Sequence, residues 1–276
     1  MDTPLRFQDS VYFALFFLSQ IYYNINLQFF QSFYTLDKIK KTEYNGYVME
    51  KGFYVQPIAH IRSDFKEKFG IPRQSGRAPD LQAEIVFEPT FNNPEALRGI
   101  EDFSHLWLIF DFSAAHRKDW SATVRPPRLG GNVRVGVFAS RSPFRPNPIG
   151  LSCVKLLRVE KRDKDGCVLL VSGADLLDGT PILDIKPYLP FADCIQDAKG
   201  GYAAQHENHR LEVVFAEDLL AKIPQEKRTG LLQCLADDPR PSYQDDERRY
   251  GMHFADFEIK FQVQNNLLTV LSVEKV

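Results

Sequence analysis

Six arginines and one lysine (Arg125, Arg128, Arg134, Arg141, Arg145, Arg158 and Lys155) fall in a stretch with no acidic residue between Asp119 and Glu160. The preference for arginine has chemical meaning. A guanidinium is a planar fork that matches a carboxylate or phosphate through two parallel hydrogen bonds, which an ammonium cannot do. Several of these arginines sit in stiff chain, in "RPPRLGG" and "SRSPFRPNPIGLS". Proline fixes φ, so such loops lose less entropy when they meet a ligand. The plain alternative is a solvated charged face. Beyond it, the pattern suits an anionic or carboxylate-bearing ligand, and RNA is the obvious polymer.

A second group is acidic. Asp175, Asp178 and Asp184 lie within ten residues of one another in "ADLLDGTPILDIKPYLP", with Lys186 and Tyr188 just after. A carboxylate here could act as a general base or favour a cation. Asp178 precedes Gly179, and an Asp-Gly turn explains it on structural grounds alone. Asp184 and Lys186 share a strand face by period two, so they can pair with each other or with a ligand. His105 opens the apolar run of "FSHLWLIF". A lone histidine in that position is more often a satisfied core residue than a catalyst.

These groups must be held by strands. "FYVQPIAHIRSDF" and "LQAEIVFEP" read as strands on either side of the polar loop "KEKFGIPRQSGR". "HLWLIFDF", "VRVGVFAS" and "IGLSCVKLLRVEKR" read as further strands, and two more follow turns at Asp165-Gly166 and Asp178-Gly179. "NPEALRGIEDFS" predicts a short helix, capped by Asn93, started by Pro94 and ended by Gly99. Strands at about ten-residue spacing predict a mainly β barrel or sandwich. No strand leads into a GxGxxG turn, which argues against a Rossmann domain. After Pro190 the chain turns polar, and a smaller α+β unit follows. In it "QEKRTGLLQCLADDP" predicts a helix, and the last residues a hairpin with Asn265-Asn266 at its tip. The expected division is 49–200 for the barrel and 201–276 for the C-terminal unit, with 1–48 set apart.

The whole chain has 276 residues, a net charge of −2 and 44% hydrophobic residues, an ordinary globular composition. A general basic excess is absent, so any nucleic-acid contact must come from a local patch. Cys153, Cys167, Cys194 and Cys234 form no CxxC pair, and read as reduced, packed thiols of a cytoplasmic protein with no metal site. Residues 1–48 differ in texture, crowded with Phe, Tyr, Ile, Asn and Lys. The apolar run Val11–Leu18 is shorter than the roughly 20 residues needed to span a bilayer. It reads as translated upstream sequence with Met49 as the start, or, if native, as a peripheral amphipathic anchor.

Several long motifs then occur in order. "KEKFGIPRQSG", "ALRGIEDFSHLW", "VRPPRLGGNVRVGVFASRSPFRPNPIGLS", "DLLDGTPILDIKPYLPFAD" and "DPRPSY" together resemble the TsaA-like family, and within it the TrmO branch of tRNA (adenine(37)-N6)-methyltransferases. The likeness spans about residues 53 to 276. It implies a β-barrel that uses S-adenosylmethionine without a Rossmann fold. It also implies a homodimer that methylates N6 of threonylcarbamoyladenosine at tRNA position 37. The positions matching its cofactor motifs are Pro72, Arg73, Gln74, His105, Leu106, Arg134, Arg141, Arg145 and Asn147, then Ser172, Gly173, Ala174 and Asp175. Asp175, Asp178 and Asp184 remain the base candidates, and Arg125, Arg128, Lys186 and Tyr188 the substrate candidates. A non-catalytic RNA- or anion-binding barrel is the alternative, and cofactor binding separates the two.

Overall fold

The structure, a computed structural model, describes residues 54–126, 129, 132–206, 209–240 and 248–276. The expectation for residues 1–48 lies outside the described residues. From Val55 to Val276 the chain is one compact unit.

Six strands close into a ring by hydrogen bonding. They are β1 (Ala59–Arg62), β2 (Gln82–Phe87), β3 (His105–Asp111), β6 (Ile149–Arg162), β7 (Gly166–Ser172) and β8 (Pro181–Pro187), in the order β1-β2-β7-β6-β3-β8. All neighbours are antiparallel, and β8 returns to pair with β1. Period-two alternation sorts the side chains. Leu106, Leu108 and Phe110 of β3 point inward, as do Ser152, Val154 and Leu156 of β6, Ala83 and Ile85 of β2, and Ile182 of β8. Gly150 faces Phe110 across the β3–β6 ladder, and a Cβ there would lie 2.2 Å from the ring. The glycine leaves room for the aromatic that plugs this end of the barrel.

The connections β1–β2, β3–β6 and β7–β8 all leave the ring at one rim. The β3–β6 connection is long and carries the arginine-rich stretch. Among its described residues the only sheet is the ribbon β4 (Thr123–Val124) with β5 (Val135–Gly136). "VRVGVFAS", read as a buried strand, therefore contributes two strand residues and then a 3-10 turn, Val137–Ala139. Val137 alone is buried there, and the segment pairs only with β4, outside the ring, so apolar content does not make it a barrel member. The predicted helix at 94–99 is two 3-10 turns, Pro94–Leu97 and Ile100–Asp102. Asn93 does cap the first, its side chain accepting from the Glu95 N–H at 3.0 Å, but Gly99 breaks the run too early for an α-helix.

The second half builds β9 (Glu212–Val214), a helix Gln225–Ala236, and β10 (Arg249–Phe254), β11 (Phe257–Gln264) and β12 (Leu267–Lys275). The sheet order is β10-β11-β12-β9, with β9 parallel to β12. The β11–β12 turn falls at Asn265-Asn266, and Asn265 adopts φ 56°. The expected hairpin is thus real, but it sits inside a three-strand meander whose first turn lies at Ala255-Asp256.

The C-terminal core is not self-contained. Phe65, Ala78 and Leu81, from the β1–β2 connection, are buried with Leu231, Leu235, Met252, Phe261 and Leu268. Gly230 marks the closest approach, because a Cβ there would lie 2.9 Å from the Leu81 Cα. Glycine to alanine in a helix is ordinarily worth about 1 kcal/mol of added stability. Here the backbone of Leu81 blocks the new methyl. Gly230→Ala is expected to destabilise the fold by about 1–3 kcal/mol, as overpacked sites do. Urea unfolding of both proteins measures the difference, and a gain in stability would show that the helix stands further from Leu81.

Candidate active site

Strand β6 is 14 residues long, but β7 pairs with it only from Lys155 onward. The first residues of β6 overhang, and an unpaired strand edge requires cover. Ser75 provides it: its Oγ accepts the Cys153 N–H at 3.2 Å. Ser75 reaches this position because Gly76 N–H donates to the Gly173 carbonyl at 2.9 Å. Both glycines hold positive φ, 75° and 78°, which side-chain-bearing residues rarely adopt. Loop 72–77 and segment 173–178 are thus pinned together at the overhang.

Asp175 lies in this corner. Ser152, fully buried inside the barrel, donates its Oγ–H to Asp175 Oδ1 at 2.6 Å. Burial pushes the Asp175 carboxyl above the usual carboxylate range. The Ser152 hydrogen bond, the Arg141 charge and the Ser75 backbone oppose that shift without cancelling it. Arg141 comes from the long β3–β6 connection, and its Nη1 donates to Gln74 Oε1 at 2.6 Å. Gln74 in turn donates Nε2–H to the Arg73 carbonyl at 2.5 Å. A half-buried carboxylate with incomplete neutralisation stands beside an exposed guanidinium. This pairing suits a ligand that carries both a cation and an anion.

The remaining predicted positions separate clearly. Ser172, Gly173 and Ala174 lead into Asp175, with Ser172 and Ala174 buried. Pro72 and Leu106 are buried, Leu106 wholly within the barrel. Arg145 turns back on its own loop, donating Nη1–H to the carbonyls of Ser140 at 3.1 Å and Ser142 at 3.4 Å. It braces the loop that carries Arg141. Arg134 bonds Thr123 across the ribbon at 2.9 Å, while Arg125 and Asn147 are exposed. Arg128 lies outside the described residues. Asp178 accepts from the Ser63 N–H at 2.9 Å and from Lys66 at 2.6 Å, tying β1 to the β7–β8 turn. Asp184 pairs with Lys186 at 2.7 Å on the outer strand face. Of the three aspartates, only Asp175 belongs to the corner.

His105 and Tyr188 form a neighbouring patch. Their rings meet edge-on with centroids 6.2 Å apart, and Trp107 tilts against Tyr188 at 5.7 Å. Asp193 folds the following chain onto it, accepting from Trp107 Nε1 at 3.1 Å and the Leu189 N–H at 2.7 Å. Cys153 links the two places, because it pairs opposite Trp107 while its N–H meets Ser75. Burial pushes the Cys153 thiol up, with Asp193 adding to the effect.

Sequence reasoning missed the groups that hold loop 72–77 from the other side. Asp237 is 4% exposed. Its Oδ2 accepts the Arg73 N–H at 3.2 Å and its Oδ1 the Arg77 Nε–H at 2.5 Å. Arg73 Nη2 donates to the carbonyls of Asp238, at 2.9 Å, and Arg240. Burial alone would raise the Asp238 carboxyl, but the Arg240 guanidinium and His209 outweigh it and hold it below its usual value. Local pattern gives no hint of Asp237. Ser152 did leave a signal: it is the polar residue at an inward position of β6.

Comparison with known proteins places this architecture. The family model for the tRNA-methyltransferase O N-terminal domain matches residues 60–194, and that for the TrmO C-terminal domain matches 208–276. The chain belongs to the TrmO family. A tRNA (adenine(37)-N6)-methyltransferase of Escherichia coli is 42% identical over 231 residues, 80% of this chain and 98% of that protein. A putative S-adenosylmethionine-dependent methyltransferase of Pseudomonas aeruginosa, RcsF, is 43% identical over 229 residues, 79% of this chain and 96% of that protein. A crystal structure of TrmO from P. aeruginosa superposes with a TM-score of 0.66 at 38% identity, covering 83% of this chain and 99% of the other.

Two opposite stability effects are expected. Asp175 has its proton affinity raised by folding. Its contribution is therefore most favourable below the unfolded pKa and is lost as pH rises through the folded value. Asp175→Asn should match or exceed the wild-type melting temperature at pH 7, with the advantage fading on acidification. A clear loss at pH 7 would mean that Asp175 is a structural anion. Asp237→Ala should cost about 1–3 kcal/mol, because it leaves the Arg73 N–H and the half-buried Arg77 guanidinium without their acceptor. Denaturant unfolding reads this, and a loss under 1 kcal/mol would deny Asp237 its role.

Proposed function

We propose that this protein transfers a methyl group from S-adenosylmethionine to N6 of adenosine 37 in tRNA that carries the threonylcarbamoyl modification. The observation that carries the reading is Asp175, a carboxylate under-neutralised by its own protein at the joint of loop 72–77, β6 and Arg141. Family membership and the names of the relatives support the reaction class.

The residues present fit the cofactor. Its sulfonium and α-ammonium groups are cations, and Asp175 offers a half-buried carboxylate. Its α-carboxylate matches the Arg141 guanidinium, with the Gln74 amide alongside. When bound, the cofactor supplies an electrophilic methyl group. The acceptor nitrogen is a urea-type N–H conjugated to a purine, a weak nucleophile that needs its proton taken. General-base help of this kind is worth roughly 10²–10⁴ in rate. Asp175 is suited to it by position, because Ser152 fixes the direction of its carboxylate. Asp178 and Asp184 are each neutralised by a lysine.

The exposed arginines Arg125, Arg134 and Arg141 suit both the tRNA backbone and the threonyl carboxylate. We assign cofactor and chemistry to the barrel part, 49–200, and the support of loop 72–77 to the C-terminal part, 201–276. We further assign a homodimer. Ile149 and Leu151 lie 46% and 48% exposed on the outer face of β6, opposite Asp111 and Ile109 of β3, which a second copy would cover. No described helix is long and apolar enough to cross a membrane, and the four cysteines are unpaired. Both fit a protein acting in the cytoplasm.

Selectivity tests the reading. Unmodified adenosine 37 would leave desolvated guanidinium groups without their anion, at about 1–3 kcal/mol each. Sites built around a polar group reach discrimination on the order of 10⁴. Labelled cofactor should methylate tRNA from cells with the threonylcarbamoyl pathway and leave tRNA from cells lacking it nearly unlabelled. Equal incorporation would return the arginines to plain phosphate binding.

A further inference from the structure

The β3–β6 connection holds two large aromatics that the barrel does not use. Trp120 is 56% exposed and Phe138 is 74% exposed. Their ring centroids stand 6.4 Å apart with planes tilted by 32°. A chain in water gains by burying such rings, so their exposure calls for an occupant.

The rings are presented on purpose-built backbone. Thr123 pairs with Gly136 and Val124 with Val135. The Val137 N–H donates to the Ala122 carbonyl at 2.9 Å, which brings residue 138 beside residue 120. Val137 is 1% exposed and anchors the ribbon's end. Ser140 Oγ–H closes the turn on the Val137 carbonyl at 2.9 Å. Phe138 then stands three residues before Arg141, the residue that reaches Gln74 and the Asp175 corner.

Charge selects the kind of occupant. Arg125, Arg134 and Arg141 are exposed around the ribbon, and Arg117 lies 3.6 Å over the ring of Phe144. Along the chain Asp119 directly precedes Trp120, and no acidic residue follows until Glu160. The buried centre of a protein interface is depleted of charge. Aromatic faces set among guanidinium groups are instead the mark of single-stranded nucleic acid, whose bases stack while its phosphates meet cations.

We propose that Trp120 and Phe138 form a stacking platform for unpaired anticodon-loop bases next to the target adenosine. The platform orients the RNA strand so that the adenosine reaches the Asp175 corner. This rests on the tRNA reading above, but its test does not need methyl transfer.

The experiment measures direct binding of a tRNA anticodon stem–loop, in parallel with binding of S-adenosylmethionine and with sedimentation. Trp120→Ala and Phe138→Ala should each weaken stem–loop binding by about 5- to 100-fold, the range for one stacked base. Cofactor affinity and sedimentation should not change. Trp120→Phe should restore most of the affinity, since it keeps an aromatic face. The salt dependence of the aromatic variants should match wild type, whereas Arg125→Ala should lower the slope by about one counterion. Unchanged stem–loop affinity in both alanine variants would overturn the proposal. So would a loss of affinity that appears with a change of oligomeric state, which would make the rings a subunit contact. If wild type binds the stem–loop through these rings yet transfers no methyl group, the platform stands and the catalytic reading fails.

Discussion

One buried carboxylate holds the loop on which the site depends. Asp237 takes the Arg73 N–H with one oxygen and the Arg77 guanidinium with the other. Loop 72–77 has no regular structure of its own, and a free loop of this length would sample many conformations. Fixed at Arg73 and Arg77, it can place Gln74 against Arg141 and Ser75 against β6 with little residual freedom. The sheet and helix of the C-terminal half therefore serve the barrel's chemistry. Their core takes in Phe65, Ala78 and Leu81 from either side of that loop.

The corner so formed is costly to the fold. Asp175 is a carboxylate partly drawn out of water, with a serine hydroxyl, backbone N–H groups and the charge of Arg141 as its compensation. Asp178 and Asp238 look different: each is in direct contact with a cationic side chain. A carboxylate left short of positive charge beside a loop full of arginines supports the proposed cationic ligand. The barrel contributes rigidity, and the long β3–β6 connection contributes the charge.

Much of this was legible in the sequence. The strands of the ring show as alternating or continuous apolar runs, because each must fill a barrel on its inner face. The arginine stretch and Asp175 stood out by residue type. What failed has physical causes. "VRVGVFAS" has strand composition, but only two of its residues find a partner strand, outside the ring, and sequence does not show neighbours. Arg145 looked like a ligand fork, and in the fold its Nη1 also braces its own loop through the carbonyls of Ser140 and Ser142, a contact the sequence does not show. Asp237 was invisible because Arg73 and Arg77, its partners in the loop, lie more than 150 positions away and reach it only through the folded chain. Asp184 and Lys186 were expected to share a face, and they do, but on the outer side of the barrel, paired with each other.

The central claim is that Asp175 exchanges its proton for the cofactor's positive charge. Titration calorimetry with S-adenosylmethionine, run at mildly acidic pH in buffers of different ionisation enthalpy, measures the protons released on binding. Wild type should release more protons than Asp175→Asn, and should bind the cofactor more tightly as pH rises, whereas the variant's affinity should be weaker and flat over that interval. Equal affinity and equal proton release in the two proteins would contradict the account.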